Sequence, residues 1–198
     1  MKKSKWVLQS FAVFLLVCGS TLVSAQTTTI VTDIFTVKYS QDLEQPLELK
    51  YTIECPLGTQ GRSGISWSGD GRIHTSDVKD YENNEWDRGH LAPAAAFSCD
   101  KKTIKKTFTY LNCALQHEGL NRGPWKELER FERDLAKFFE VVVLVEVVFD
   151  ENPQRVAGGA AIPSGFYKTI FTKENTWKFY FPNKDVAGED WYNFRIIE

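Results

Sequence analysis

Basic residues do not outnumber acidic ones in this chain. Its 198 residues include 24 Lys and Arg against 26 Asp and Glu, and removal of residues 1–25 would take three lysines away and leave a net charge of −5. Proteins that grip polyanions are usually basic overall. The composition therefore excludes a generally basic nucleic-acid-binding protein, and any contact with a polyanion must come from a local patch.

Cysteine is also scarce. Only Cys55, Cys99 and Cys113 lie outside the first 25 residues, and their spacing matches no zinc motif. An exported chain can hold a disulfide, and an odd count leaves one thiol over. We expect Cys55 and Cys99, which flank a long loop, to pair, and Cys113, inside an apolar strand, to be buried.

The chain has no apolar run long enough to favour a membrane span, since the run Trp6–Val17 is short for that purpose. Three lysines precede it, and the small residues of Val23–Ala25 follow it. This pattern predicts a signal peptide of residues 1–25 cleaved before Gln26, with a membrane anchor as the alternative. We expect a single domain, residues 26–198, that is secreted or periplasmic and not stably associated with a membrane.

Strand patterns dominate the remaining chain. Alternating apolar residues predict half-buried strands at Ile34–Tyr39 and Leu47–Ile53, with a turn around Gln45-Pro46. Further strands are predicted at 108–116, 140–149 (buried on both faces), 158–162, 166–171 and 177–181. One amphipathic helix is predicted from Pro124, with an apolar stripe formed by Trp125, Leu128, Phe131, Leu135, Phe138 and Phe139. Without regular β-α alternation, the fold class is α+β.

Two stretches are rich in polar residues that could contact a substrate. The long loop 56–86 has no periodicity, and loops of this length are usually functional or mobile. It holds four candidate contacts, each of which could equally be solvated surface: Arg62, Trp67, Arg72 and His74. A basic cluster lies just before the predicted strand at 108 and consists of Lys101, Lys102, Lys105 and Lys106. It is either a solvated helix face or a set of phosphate contacts.

Two short segments carry the residue types that hydrolysis of a phosphodiester needs. Near neutral pH, His90 is the side chain best suited to act as a base. Asn121 offers an oxygen ligand to a hard divalent cation, and Arg88 offers a fork of donors to phosphate. A helix cap is the alternative for Asn121, but Pro124 at the first helical position would put the cap near Gly123.

These segments, in this order, resemble the DNA/RNA non-specific endonuclease family, which includes secreted bacterial sugar-non-specific nucleases and mitochondrial endonuclease G. The string Asp87–His90 matches the family signature, Leu111–Glu129 matches a second block, and Ile162–Lys168 is similar to a later strand pair. The resemblance implies the ββα-metal (His-Me finger) fold, with a central antiparallel sheet and a long helix that carries the metal-site residues.

The resemblance also implies a role for each matching residue. His90 would be the general base, and Asn121 the sole protein ligand of a Mg²⁺ otherwise held by water, with Mn²⁺ as a substitute. Glu129 would orient one of those waters, although an ordinary surface carboxylate is the alternative. Arg88 would contact phosphate, and Asn112 would brace the site or touch the substrate.

Three arginines are the candidates for binding the substrate. Arg122 lies within the second matching block. The family usually has an arginine in the loop before the signature, but Ile65 stands in that place here. If any residue replaces that arginine in contacting phosphate, it is Arg62 or Arg72.

The expected activity is that of a secreted, divalent-metal-dependent endonuclease that cuts DNA and RNA to 5′-phosphate ends, with contacts mainly to the backbone. A degenerate nucleic-acid-binding protein and a small-substrate phosphodiesterase are the alternatives. A homodimer and a protein inhibitor stay open as partners. If His90 acts as a neutral base, activity should rise through the pH range where histidine ordinarily titrates.

Overall fold

The computed structural model describes residues 26–197, so the predicted signal peptide lies outside the described residues. In chain order the strands are β1 (Thr27–Val31), β2 (Phe35–Ser40), β3 (Gln45–Thr52), β4 (Trp86–His90), β5 (Cys113–His117), β6 (Val142–Val148), β7 (Gly165–Phe171), β8 (Thr176–Pro182) and β9 (Arg195–Ile196). The α-helices are α1 (Lys101–Lys106), α2 (Glu118–Arg122) and α3 (Pro124–Leu135).

Seven strands form a central antiparallel sheet in the spatial order β1-β2-β3-β6-β7-β8-β9. The predicted α+β fold with a central antiparallel sheet is therefore confirmed. The two half-buried strands near the N-terminus are also present as β2 and β3. The turn between them is formed by residues 41–44 and not by Gln45-Pro46, because Glu44 adopts a positive φ of 53° and closes it one residue earlier.

Helix α3 begins at Pro124 as predicted, and its apolar side chains Trp125 and Leu128 are fully buried. The Trp125 ring packs edge-on against Phe166 of β7 and Phe181 of β8. The predicted stripe extends too far, because the helix ends at Leu135. The last two members of the stripe, Phe138 and Phe139, lie beyond that end and are exposed.

Three strand predictions need correction. β6 is buried on one face only, since its odd-numbered valines are buried and its even-numbered residues are half-buried. Residues 158–162 form no regular strand, because Gly159 has a φ of +123° that interrupts an extended run. The segment 108–116 contains a 3₁₀ turn at Tyr110–Asn112, so its strand begins only at Cys113.

A separate two-stranded sheet carries the first signature segment. β4 pairs antiparallel with β5, which sets Asp87 opposite Gln116 and His90 opposite Cys113. Two buried amides join β5 to the central sheet: Gln45 accepts from the Leu115 N–H, and Asn183 bonds both the Leu115 carbonyl and the His117 N–H. This small sheet is thereby held in a defined position.

The cysteine predictions are confirmed. Cys55 and Cys99 form a disulfide with a Cα–Cα distance of 5.5 Å, and Cys113 is a buried free thiol. Within residues 26–197, none of the helices combines the length and the apolar character that crossing a membrane requires.

Candidate active site

A cleft of about 1090 Å³ opens beside β4 and collects charged side chains from distant parts of the chain. In a protein that is acidic overall, five basic residues and only two acidic ones line it: Arg62, Arg88, Arg122, Lys126 and Arg133, with Asp87 and Glu129. The cleft is thus the local positive patch that a polyanion would require. His90 and Asn121 also line it.

Asp87 orients two residues of α2. One of its carboxylate oxygens accepts a hydrogen bond from the Asn121 amide nitrogen at 2.8 Å and from Arg122 Nε at 2.9 Å. The other oxygen accepts from the Arg122 guanidinium at 2.7 Å, and Glu118 pairs with the same guanidinium. This arrangement leaves the Asn121 side-chain oxygen without a hydrogen bond to any described residue.

His90 is held between aromatic rings at the end of β4. The centroid of its imidazole lies 4.6 Å from that of Trp67 and 4.9 Å from that of Phe108. Its Nε2 atom is buried, and no described protein group hydrogen-bonds to it. His90 nevertheless lines the cleft, and no described protein group hydrogen-bonds to its imidazole.

The environment of His90 keeps its imidazole neutral. Burial, and then the nearby charge of Arg62, lower the pKa of His90 from 6.5 to about 3. The expectation that activity would rise as His90 titrates in its ordinary range is therefore wrong for this structure. The imidazole is already neutral well below that range.

Glu129 has the opposite shift. Burial raises the pKa of Glu129 from 4.5 to about 7, an effect that the buried cation Lys168 partly offsets. Glu129 therefore holds its proton to a higher pH than an ordinary carboxyl does, and a cation placed next to it would favour its ionised form.

Asn112 lies behind the site and does not line the cleft. Its side chain is fully buried, accepts from the Ala92 N–H at 2.7 Å and donates to the carbonyls of Ala92 and Thr107 at 2.9 Å. These bonds fix the chain just after His90. Of the two expected roles for Asn112, this geometry supports bracing.

Residues 19–197 match the family model described as DNA/RNA non-specific endonuclease. The chain belongs to this family. Similar curated proteins include the mitochondrial nuclease EXOG of Xenopus laevis (32% identical over 115 residues, 52% of this chain and 32% of the relative). Mitochondrial endonuclease G of Homo sapiens is 36% identical over 111 residues, 49% of this chain and 37% of the relative. Nuclease C1 of Cunninghamella echinulata is 31% identical over 131 residues, 58% of this chain and 52% of the relative.

The matched segments thus span only about a third to a half of these relatives. Among solved structures, the EndoG/EndoGI complex matches with a TM-score of 0.75 and 22% identity, covering 85% of this chain and 80% of that one. The likeness establishes the fold, and the family's ββα-metal architecture is present. The expected single long helix carrying the metal-site residues is not present, however, because Asn121 lies on the short helix α2 and Glu129 on α3.

The two loop arginines that could serve this family's phosphate contact have different surroundings. Arg62 lines the cleft, and its charge acts on His90. Arg72 is not among the cleft residues, and Asp70 holds it through a bidentate ion pair at 2.7 and 2.9 Å. Only Arg62 is placed to meet a substrate in the cleft.

Sequence reasoning missed two basic residues of α3 that line the cleft, Lys126 and Arg133. Arg133 lies one helical turn after Glu129, and its guanidinium donates to the Glu129 carbonyl at 2.9 Å. The signal was available, because residues four apart share a face of a helix. A cation at that spacing from Glu129 was bound to lie near it.

The oxygen ligands available at this site fit Mg²⁺, the ion that the resemblance to the family implies. Among the described residues, no group of three or more His, Cys, Asp or Glu could hold a metal ion. Mg²⁺ usually keeps several waters and takes one or two protein oxygens. The free side-chain oxygen of Asn121 is such an oxygen, and Mn²⁺ accepts the same ligand type.

Proposed function

We propose that this chain is a divalent-metal-dependent endonuclease that hydrolyses phosphodiester bonds of DNA and RNA and leaves 5′-phosphate ends. One observation carries the proposal: the neutral imidazole of His90, to which no described protein group hydrogen-bonds, lines the same cation-rich cleft as Asn121. A base, a ligand for a divalent ion and phosphate-binding cations are the groups that this hydrolysis needs.

In the proposed reaction, the His90 imidazole accepts a proton from the attacking water, and the water oxygen forms a bond to phosphorus. The bond between phosphorus and the 3′ oxygen breaks, so that the 5′ fragment leaves with a 3′ hydroxyl once its oxygen is protonated. A Mg²⁺ held by Asn121, with Glu129 nearby, would supply Lewis-acid stabilisation of the developing charge.

Arginines around the cleft complete the charge balance. Arg88 has a buried Nε without a protein partner, and its guanidinium carbon lies 5.2 Å from the Tyr81 ring centroid, which limits its freedom. Arg62, Arg122 and Arg133 add donors suited to phosphate oxygens. Because these contacts would be made to the backbone, we expect little selectivity for base or sugar.

Plasmid nicking by residues 26–198 tests the proposal, with Mg²⁺, with EDTA and with the variant His90→Ala. We expect cleavage that is lost in EDTA and falls at least about a hundredfold in His90→Ala, the scale of a lost general base. Binding of plasmid without cleavage in Mg²⁺ or Mn²⁺ would indicate a degenerate binding protein. Cleavage of a small diester alone would indicate a small-substrate phosphodiesterase.

Export by the N-terminal segment is also part of the proposal. The Cys55–Cys99 disulfide supports it, because disulfides persist mainly in oxidising compartments. N-terminal sequencing of protein recovered from the medium or periplasm should then begin at Gln26. Intact Met1 on the exported protein, or retention in the cytoplasm, would contradict export.

The oligomeric state and a protein inhibitor remain proposals about partners. The matched solved structure is a complex in which EndoG is inhibited, and that observation belongs to EndoG alone. Size-exclusion chromatography with light scattering tests whether this chain forms a homodimer. An affinity capture on His90→Ala protein, followed by a cleavage assay with each captured protein, tests for an inhibitor.

A further inference from the structure

The loop that carries Arg62 connects the cleft near His90 to the lysine-rich helix α1. Arg62 lines the cleft close enough to His90 to act on it electrostatically. The next residue, Ser63, offers its carbonyl to the Lys101 ammonium at 2.6 Å. The loop that carries Arg62 is therefore attached to the beginning of α1.

Covalent and backbone contacts fix this attachment. The Cys55–Cys99 disulfide joins the start of the loop to the residues just before α1. The Gln60 N–H donates to the Ser98 carbonyl at 3.0 Å, and the Cys55 N–H donates to the Ala96 carbonyl at 3.0 Å. Arg62 and α1 are thus held together as one part of the cleft wall.

The four lysines of α1 form two pairs with different surroundings. Lys102 and Lys106 lie on the side near Asp33: Lys106 makes a 2.5 Å ion pair with it, and both lysine charges lower the pKa of that carboxyl. Lys101 and Lys105 are one turn apart on a neighbouring face, and both are exposed. Neither forms an ion pair with a described carboxylate.

The side of α1 that carries Ile104 faces the cleft. Ile104, three residues after Lys101 and next to Lys105, lines the cleft with Phe108 just beyond the helix. Asp100, the acid that directly precedes α1 in the sequence, already caps the helix by accepting from Lys102 N, Thr103 N and the Thr103 hydroxyl. The charge of Lys101 and Lys105 is therefore available to an external anion.

We propose that Lys101 and Lys105, together with Arg62, form a phosphate-binding track that carries the backbone of a nucleic-acid strand out of the cleft over α1. This proposal rests on the proposed function, which supplies the nucleic acid as the ligand. It adds the path that the strand follows beyond the scissile phosphate. Positive grooves that follow a backbone are the usual means of binding a strand without sequence preference. The pair Lys102 and Lys106 lies outside the track.

The test compares two variants with the same loss of charge, Lys101→Ala/Lys105→Ala and Lys102→Ala/Lys106→Ala, each in a His90→Ala background. Binding of a fluorescein-labelled single-stranded 20-mer and of its duplex is measured by anisotropy over a series of NaCl concentrations. Loss of two phosphate contacts should make the negative slope of log K against log salt shallower by about 1.4 for the single strand and about 1.8 for the duplex. We expect the Lys102/Lys106 variant to change the slope by less than half as much.

A third variant, Lys101→Arg/Lys105→Arg, should restore the slope because it restores both charges, and thermal melting of all variants checks their folding. Equal slopes for the two alanine pairs would overturn the track, since the effect would then be long-range charge alone. An unchanged slope in Lys101→Ala/Lys105→Ala would overturn it as well.

The outcome can be separated from that of the proposed function. If protein with intact His90 fails to cut plasmid while the two alanine pairs still differ in binding, the nuclease proposal fails and the track stands. If the protein cuts plasmid and the pairs bind alike, the track fails alone.

Discussion

The carboxylate of Asp87 receives a 2.8 Å hydrogen bond from the side-chain nitrogen of Asn121, a residue 34 positions later in the chain. An ionised carboxylate can only accept, so the Asn121 amide must turn its NH₂ toward Asp87. Its oxygen is then the free atom. The first signature segment thereby orients the proposed metal ligand of the second.

Replacement of Asp87 by alanine should therefore weaken metal binding. We expect the Mg²⁺ concentration for half-maximal plasmid cleavage to rise about 10- to 100-fold in Asp87→Ala, the usual cost of losing a group that orients a metal ligand. Asp70→Ala is the matched control, because it frees Arg72 outside the cleft. An equal rise in both variants would show that Asp87 does not orient the ligand.

The shifted pKa values of His90 and Glu129 should change the free energy of unfolding in opposite directions as the pH rises. Between pH 3 and 6.5 the unfolded chain binds a proton that folded His90 refuses, so the low pKa of His90 makes stability rise with pH. Between pH 4.5 and 7 folded Glu129 keeps a proton that the unfolded chain loses, so its high pKa makes stability fall with pH.

Urea unfolding in EDTA across pH 3–8 measures both effects. Relative to the wild type, His90→Asn should lose the rise that His90 contributes between pH 3 and 6.5, and Glu129→Gln should lose the opposing fall that Glu129 contributes between pH 4.5 and 7, with about 1.4 kcal/mol at stake per unit of pKa shift. Profiles parallel to that of the wild type would contradict the assigned shifts.

A buried ion pair supports α3 beneath the cleft. Lys168 Nζ lies 2.8 Å from Glu132 Oε1, both side chains are fully buried, and the Tyr51 hydroxyl donates to Glu132 Oε2 at 2.7 Å. Lys168→Met would leave Glu132 charged and uncompensated, and should lower the free energy of unfolding by about 3–5 kcal/mol. Urea unfolding at pH 7 measures the loss.

Two further variants make that result specific. The double variant Lys168→Met/Glu132→Gln removes both charges and keeps an acceptor for Tyr51, so it should recover most of the loss. Lys137→Met breaks an exposed pair with Asp134 and should cost less than about 1 kcal/mol. If the double variant is as unstable as Lys168→Met, loss of packing and not uncompensated charge is responsible.

Gly89 of the first signature has no room for a side chain. A Cβ there would lie 2.4 Å from Gln116 Oε1 and 2.6 Å from Gln116 Cβ on the paired strand. Gly89→Ala should therefore push β4 away from β5, lower stability by about 1–3 kcal/mol and reduce plasmid cleavage by displacing His90. Thermal melting and the cleavage rate measure the two effects.

Gly71→Ala is the control for that substitution, because a Cβ there meets no atom within 4 Å and its φ is not positive. We expect it to leave melting and cleavage close to the wild type. Equal losses in both variants would mean that the tight contact with Gln116 is not the cause.

Local features of the chain were predictable where local physics decides them. Pro124 can start a helix because its missing N–H is not needed in the first turn, and α3 begins there. Alternation of apolar and polar residues identified β2 and β3, because successive side chains of a strand point to opposite faces. Two of the errors fall where a backbone conformation ends a pattern, at the positive φ of Glu44 and of Gly159.

The sequence by itself determined the family, the strand-rich fold class and the residue types His90, Asn121 and Glu129 at the site. Only the tertiary structure decided that Arg62 and not Arg72 reaches the cleft, and that Asn112 is turned inward. It also decided that the pKa of His90 falls and that of Glu129 rises. These properties depend on desolvation and on charges from distant segments, which no local pattern along the chain encodes.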